Sequence, residues 1–296
     1  MPVIHTVRIP SEQVPGVYRL RVGDIVVTAL SDGYFEAGLD VLLNVSTPEA
    51  QRLLELAGRP PRARAPINAF AIHAGGRLAL IDAGAGSTLG PTAGRLSANL
   101  AAAGIHPNEI DTVLLTHMHS DHSAGLIDPS GVPVFQGAEL HLHKDEAAYW
   151  QDDTAVSRAP EPVRPFFQAA RSQLEAYRDR LRPLLPGEVF PGVTWMPMPG
   201  HTPGHTGYLI ASGGASLLIW GDIIHIQDVQ IPRPETGFFV DTDPAAAAAT
   251  RRRVLDMVAA DRLLVGGMHV HFPGFARVVR DGTRFQMVRD VWADDL

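Results

Sequence analysis

Thr116-His117-Met118-His119-Ser120-Asp121-His122 places three imidazoles and one carboxylate within six consecutive residues. It follows Thr112-Val113-Leu114-Leu115, a short apolar run that reads as a buried strand. Imidazole nitrogen and carboxylate oxygen suit zinc and its first-row neighbours. Four such groups packed this tightly cannot all face one ion without strain, so the stretch predicts two adjacent ions. The competing reading is a histidine-rich surface loop. Against it, Gly200-His201, Gly221-Asp222 and a late His269 supply the donors that a two-ion site would still need.

Taken in that order, H-x-H-x-D-H after a strand, Gly200-His201, Gly221-Asp222 and His269 resemble the metallo-β-lactamase-fold hydrolase superfamily over nearly the whole chain. Three segments resemble its methyl parathion hydrolase-like branch of lactonases, arylesterases and organophosphate hydrolases: Val22 to Gly33, Gly200 to Thr206, and His269 to Gly274. The resemblance implies an α+β fold, a four-layer αββα sandwich with a dinuclear metal site at the edge between two mixed β-sheets. It implies that His117, His119 and His201 hold one metal, that Asp121, His122 and His269 hold the other, and that Asp222 bridges both. Zinc is expected, although iron, manganese and cobalt accept the same donors. Two ions about 3.5–4 Å apart depress the pKa of a shared solvent molecule, so that hydroxide exists at neutral pH.

The same resemblance gives the neighbouring residues their expected roles. Asp121 and Asp222 act through the metals. His225 lies where related lactonases present a Tyr or His to the substrate, and an imidazole there can donate to the carbonyl oxygen or the leaving alkoxide. A structural histidine is the alternative. Asp82 ends a strand and either supports a metal-bound histidine or simply turns the chain. His205 is expected to hydrogen-bond a ligand rather than to be one. Between His269 and His271 the pattern favours His269. Phe238, Phe239 and Val240 are expected to form an apolar wall, with Trp150, His271 and Phe272 completing the pocket.

With 296 residues, 45% of them apolar, the chain can bury a large core as a single domain spanning 1–296. A net charge of −7 argues against nucleic acid as a partner, because phosphate neutralisation needs a basic surface. There is no cysteine, hence no disulfide framework and no thiolate ligand. Met1-Pro2-Val3-Ile4-His5 lacks the basic and apolar regions of a secretory signal, and no apolar run is long enough to span a bilayer. A cytoplasmic protein without membrane contact is expected, and the branch resemblance adds a homodimer.

Along the chain, residues 1–16 read as an irregular arm, 17–143 as a first αβ half, 144–186 as an aromatic-rich insertion and 187–296 as a second αβ half. Gly23-Asp24 signals a hairpin within Tyr18–Ser31, and Ser31-Asp32-Gly33 is expected to turn the chain. Ser46-Thr47-Pro48-Glu49 opens a helix that Gly58 stops. Strands are predicted at 68–73, 78–81, 132–135 and 139–143, with His141 and His143 on one face. The insertion carries a helix over 165–181 and is either a substrate lid or packed on the body. Further strands fall at 193–196, 208–210, 217–220 and 263–265. Asp243-Pro244 opens a helix to Ala259, with Arg251-Arg252-Arg253 on its solvated face, and a hairpin closes the chain.

The function these expectations imply is a dinuclear metal-dependent hydrolase. A metal-bridging hydroxide attacks lactones or aryl esters, with phosphotriester hydrolysis as a promiscuous side activity. One rival is quorum-quenching hydrolysis of acyl-homoserine lactones. A thioesterase of the glyoxalase II type is disfavoured, because the chain past His269 is short and lacks a basic helix. A metal-binding sensor or scaffold without turnover is the non-enzymatic alternative, and seven ligands count against it.

Overall fold

The protein is described by a computed structural model covering residues 9–296. The first eight residues of the expected arm lie outside the described residues, and 9–16 carry no helix or strand. The first half runs β1 (Val17–Val22), β2 (Ile25–Ala37), β3 (Leu42–Leu43), α1 (Thr47–Leu56), β4 (Ala63–Ala74), β5 (Arg77–Ile81), α2 (Leu96–Ala102), β6 (Thr112–Leu114), α3 (Ser120–Ser123) and β7 (Glu139–Leu142). The insertion adds α4 (Lys144–Gln151), α5 (Asp153–Arg158), α6 (Arg164–Ala176) and β8 (Leu181–Pro183). The second half runs β9 (Glu188–Phe190), β10 (Val193–Pro197), β11 (Thr206–Ser212), β12 (Ala215–Ile219), α7 (Gln227–Gln230), β13 (Gly237–Phe238), α8 (Pro244–Ala260), β14 (Leu264–Gly266), β15 (Phe275–Asp281) and β16 (Arg284–Arg289).

Two seven-stranded sheets result, ordered β1-β2-β4-β5-β6-β7-β8 and β16-β15-β14-β12-β11-β10-β9. Both are mixed: β5 to β8 pair in parallel, as do β12 and β14. Strand alternation explains the layers. On β5, Ala79 and Ile81 face the other sheet, while Leu78 and Leu80 face outward to α2 and the insertion helices. On β12, Leu217 and Ile219 face inward, and Leu218 faces Val254 and Val258 of α8. Strands buried on both faces need helices outside, so four layers, αββα, follow. Each fully buried Leu, Ile or Phe of these layers contributes about 1.5–3 kcal/mol.

The capping signals act as expected. Ser46 accepts from Glu49 N, and Asp243 accepts from Ala246 N. Several other expectations are corrected. Ser31-Asp32-Gly33 does not turn the chain: β2 runs through it with a register shift. Asp32 is the extra residue, and its buried carboxylate accepts from Ala85 N and Leu96 N, both at 2.7 Å, which anchors the loop after β5. Residues 132–135 form no strand. Asp128 Oδ1 instead gathers Ser130 N and Val132 N into a loop, with one bridge from Ile127 to Pro133. The helix expected over 165–181 stops at Ala176, and Leu181–Pro183 joins the sheet edge as β8. Arg251 is buried rather than solvated. Its Nε donates to Ile223 O, and its Nη1 to Pro234 O and Thr236 O, satisfying carbonyls of a loop that has no ladder. Among the described residues, no helix is long and apolar enough to cross a membrane.

Candidate metal centre

The parallel strands β6, β12 and β14 end at one edge of the sandwich, and the loop after each carries polar groups out of an apolar strand. His117 and His119 follow β6, with Asp121 and His122 in the first turn of α3. His201 lies between β10 and β11, Asp222 follows β12, and His269 follows β14. All are buried except Asp121, which is partly exposed.

His117 Nε2, His119 Nδ1 and His201 Nε2 form a triangle with sides of 3.0, 2.9 and 3.2 Å. A few ångströms away, Asp121 Oδ2 stands 3.3 Å from both His122 Nε2 and His269 Nε2. Asp222 lies between the two groups. Its Oδ1 is 3.3 Å from His122 Nε2; its Oδ2 is 3.2 Å from His269 Nε2, 3.4 Å from His201 Nε2 and 3.7 Å from His117 Nε2. Seven donors thus divide into an all-imidazole triad and a carboxylate-containing set that share one acid.

The outward ring nitrogens have partners of their own. His122 Nδ1 donates to Asp82 Oδ2 at 2.7 Å, His201 Nδ1 to Asp241 Oδ1 at 2.7 Å, and His269 Nδ1 to Pro66 O at 2.6 Å. His117 Nδ1 meets Thr116 Oγ1 at 3.0 Å, and that hydroxyl donates to Asp82 Oδ2. These bonds orient His117, His122, His201 and His269 with Nε2 turned into the cluster, the face a cation would take in place of any proton there. His122 Nε2 and Asp222 Oδ1 are buried without a hydrogen-bond partner among the described residues. Unpaired polar atoms of this kind are costly unless a cation satisfies them. The donor set therefore fits a pair of divalent ions.

Electrostatics separate the two groups. Burial, and then the neighbouring imidazoles, push His117 and His119 well below the ordinary histidine pKa, so these two rings are neutral. Burial opposes ionisation of Asp121 and Asp222, but the facing imidazoles, His122 foremost, hold both well below the usual carboxylate range. Burial also opposes a charge on His269, and Asp222 and Asp121 overcome it, raising the ring to about 10. Removal from water, reinforced by His201, draws His205 down to about 3. That ring is neutral; it bonds Met198 O through Nδ1 and receives Asp222 N at Nε2, 2.8 Å each. Gly221 has φ +58°, and a Cβ there would stand 2.3 Å from His205 Nε2, so only glycine lets Asp222 dock on that ring.

Asp82 and His205 are each hydrogen-bonded to a residue of the cluster, His122 and Asp222 respectively. His271 does not enter it: Nε2 turns to Asp228 Oδ2 at 3.4 Å. His141 faces Glu139, and His143 caps α4. His225 is buried against the cluster, stacked on Phe238 at 4.3 Å and 6°. Its Nε2 is 3.1 Å from Asp222 Oδ2, outside hydrogen-bonding geometry. Burial, opposed by Asp222, pulls it down to about 4.

A cleft of about 420 Å³ opens onto His119, Asp121, Asp222 and His225. Phe238, Phe239 and Val240 form one wall of it. Phe35, Val41, Leu89 and Phe166, which sequence reasoning missed, line the cleft further, together with the stretch Glu36 to Gly38. Trp150, His271 and Phe272 do not line it. Trp150 is wholly buried, edge-on to His119 at 5.5 Å and bonded to Glu146, so it braces the triad from behind. Of the insertion, Phe167, Leu174 and Tyr177 pack into the core, while Phe166 reaches the cleft. A second hollow of about 370 Å³, rimmed by Arg59, Arg62 and Arg64, lies against His225 and His269 and takes in His271.

A family profile described as "Metallo-beta-lactamase superfamily" matches residues 62–269. The chain belongs to that superfamily. Among solved structures, this superfamily member is similar to "hydrolase AbOPH in beta lactamase superfamily", with 30% identity, coverage of 96% of this chain and 100% of that one, and a TM-score of 0.90. It shares its fold with AidC, described as a dizinc quorum-quenching lactonase in complex with a product, at 24% identity, the same coverage and a TM-score of 0.91. The uncharacterized protein YobT of Bacillus subtilis (strain 168) is 26% identical over 162 residues, 55% of this chain. That match spans 64% of YobT, less than two thirds of its length.

Proposed function

We propose that this metallo-hydrolase opens lactones and cleaves aryl esters at a dinuclear centre. His117, His119 and His201 hold one divalent ion, Asp121, His122 and His269 hold the other, and Asp222 is shared. The observation that carries this reading is Asp222 itself, whose Oδ1 faces His122 while its Oδ2 lies 3.2 Å from His269, 3.4 Å from His201 and 3.7 Å from His117, within reach of both donor groups at the floor of a largely apolar, aromatic-walled cleft. Two zinc ions, when bound, supply Lewis acidity and a water of lowered pKa.

The chain's own residues do the rest. Phe35, Phe166, Phe238 and Phe239 take up an aryl or acyl group and exclude water from the reacting carbonyl. His225, held flat by Phe238 and neutral at working pH, offers an N–H to the leaving oxygen. Asp82, Asp241 and Pro66 O hold three of the histidines by Nδ1 and so keep Nε2 turned inward. A second reading, opening of acyl-homoserine lactones, is supported by the likeness to AidC, solved with N-hexanoyl-L-homoserine.

The test is a metal-replete screen of aryl lactones, acyl-homoserine lactones, aryl esters, phosphotriesters and thioesters, repeated with Asp222→Ala. Lactones or aryl esters should lead, with phosphotriesters slower. If thioesters led, the assignment would be wrong. If Asp222→Ala kept both metal content and rate, Asp222 would not be the shared ligand.

A further inference from the structure

Glu146 lies on α4, in the stretch Lys144-Asp145-Glu146 that looks like an exposed helix turn, yet its side chain is wholly buried. Its carboxylate has no Arg, Lys or His among its hydrogen-bond partners in the described residues. Instead, four donors fill both oxygens. Oε1 accepts from Met118 N at 3.0 Å and Trp150 Nε1 at 2.6 Å; Oε2 accepts from Thr202 Oγ1 at 2.6 Å and Gly204 N at 3.0 Å. Met118 stands between His117 and His119, and Thr202 follows His201. One buried anion therefore spans the two loops that carry the imidazole triad. The backbones meet closely enough that a Cβ on Gly204 would fall 2.3 Å from Glu146 N. Trp150, one helical turn on, sets its edge against His119.

We propose that Glu146 is the positioning residue of the triad's cation, fixing the distance between the His117/His119 loop and the His201 loop. The inference rests on the two-ion reading above. Holding the triad's sides at 2.9–3.2 Å requires these two loops to keep register; a backbone bond from Thr206 N to Thr116 O at 2.9 Å joins them at their bases, and no strand pairing joins them at His119 and His201. A carboxylate suits the place because all four neighbours present donors; an amide would turn its own N–H groups toward two of them. The other cation position draws its outer support from Asp82 and Pro66 O, neither of which bonds Glu146. The effect of Glu146 is thus confined to one of the two positions. It also ties the insertion that brings Phe166 into the cleft to the occupancy of the triad.

The experiment titrates the metal-free full chain with Zn²⁺ against a chromophoric chelator, and with Co²⁺ followed by its absorption. Wild type, Glu146→Gln and Asp82→Asn are compared, with circular dichroism confirming the fold. Wild type should take up two equivalents. Glu146→Gln should keep one equivalent within twofold of wild type and weaken the other about 10- to 100-fold, as outer supports of metal ligands do. Its residual Co²⁺ spectrum should differ from that of Asp82→Asn, which weakens the opposite position more than the triad. Should Glu146→Gln fail to fold, Thr202→Val and Trp150→Phe each remove one of the four bonds and should weaken the same position to a smaller degree. Equal weakening of both positions, or none, in the variants that fold overturns the inference while leaving the two-ion reading in place. Fewer than two equivalents in wild type overturns that reading itself.

Discussion

Replacing Asp82 with Asn keeps shape and volume but removes one acceptor where two donors meet. Asp82 Oδ1 receives Thr116 N at 2.8 Å, and Oδ2 receives both Thr116 Oγ1 at 2.8 Å and His122 Nδ1 at 2.7 Å. An Asn keeps its carbonyl toward the backbone N–H, because that donor cannot rotate away. The amide nitrogen then faces His122. The imidazole relieves the clash by moving its proton to Nε2, the atom 3.3 Å from both Asp121 Oδ2 and Asp222 Oδ1. A protonated Nε2 has no lone pair for a cation, so the position built from Asp121, His122 and His269 should weaken about 10- to 100-fold. Loss of a hydrogen bond to a charged acceptor adds about 1.5–3 kcal/mol of destabilisation to the metal-free protein. The triad should suffer less, because His117 is linked to Asp82 only through the Thr116 hydroxyl. Zinc competition titration reads the first effect and urea denaturation of chelated protein the second. If both positions stayed within twofold of wild type, the tautomer reasoning would be refuted.

Phe239 is 43% exposed on the cleft wall, so Phe239→Ala should spare the fold. Covering roughly 50 Å² of ring by substrate at about 25 cal/mol per Å² gives about 1.3 kcal/mol, so KM for aryl esters should rise close to tenfold with kcat little changed. Steady-state kinetics on an aryl ester and on acetate esters of small alcohols decides, and an equal effect on both counts against the wall. Arg251→Met strips the donor from the buried Ile223 carbonyl and weakens those of half-buried Pro234 and of Thr236, which keeps Gln230 Nε2; at about 1–3 kcal/mol for an unsatisfied buried group it should cost about 1–3 kcal/mol in urea unfolding. His73 lies away from the cluster, and burial, then the charge of Arg19, lower its pKa. A depressed group contributes stability above its unfolded pKa of about 6.5, which is lost as pH falls toward the folded value. The stability of wild type relative to His73→Phe should therefore fall between pH 7 and pH 5; a difference independent of pH would show that this ring does not titrate on unfolding.

Which parts of this molecule were legible in its sequence follows from where each signal lies. The seven cluster residues stand just past apolar strands or in Gly-flanked turns, where a polar group interrupts a hydrophobic run and local pattern marks it. The strands themselves read well because residues such as Leu78 to Ile81 are apolar on both faces, which only a covered sheet tolerates. Asp32 misled because Ser-Asp-Gly is turn chemistry; its actual partners, Ala85 N and Leu96 N, lie 53 and 64 residues away. Asp241, Glu146 and Arg251 were hidden for a related reason. Each sits beside charged or capping residues that belong on a surface, and each is buried by partners on distant segments. Local pattern encodes which face of an element is wet; it does not encode which single charge is turned inward to satisfy someone else's backbone. The outer carboxylates around His201 and His122 depend on the assembled fold for their meaning, so metal titration of their variants tests the tertiary structure as directly as it tests the chemistry.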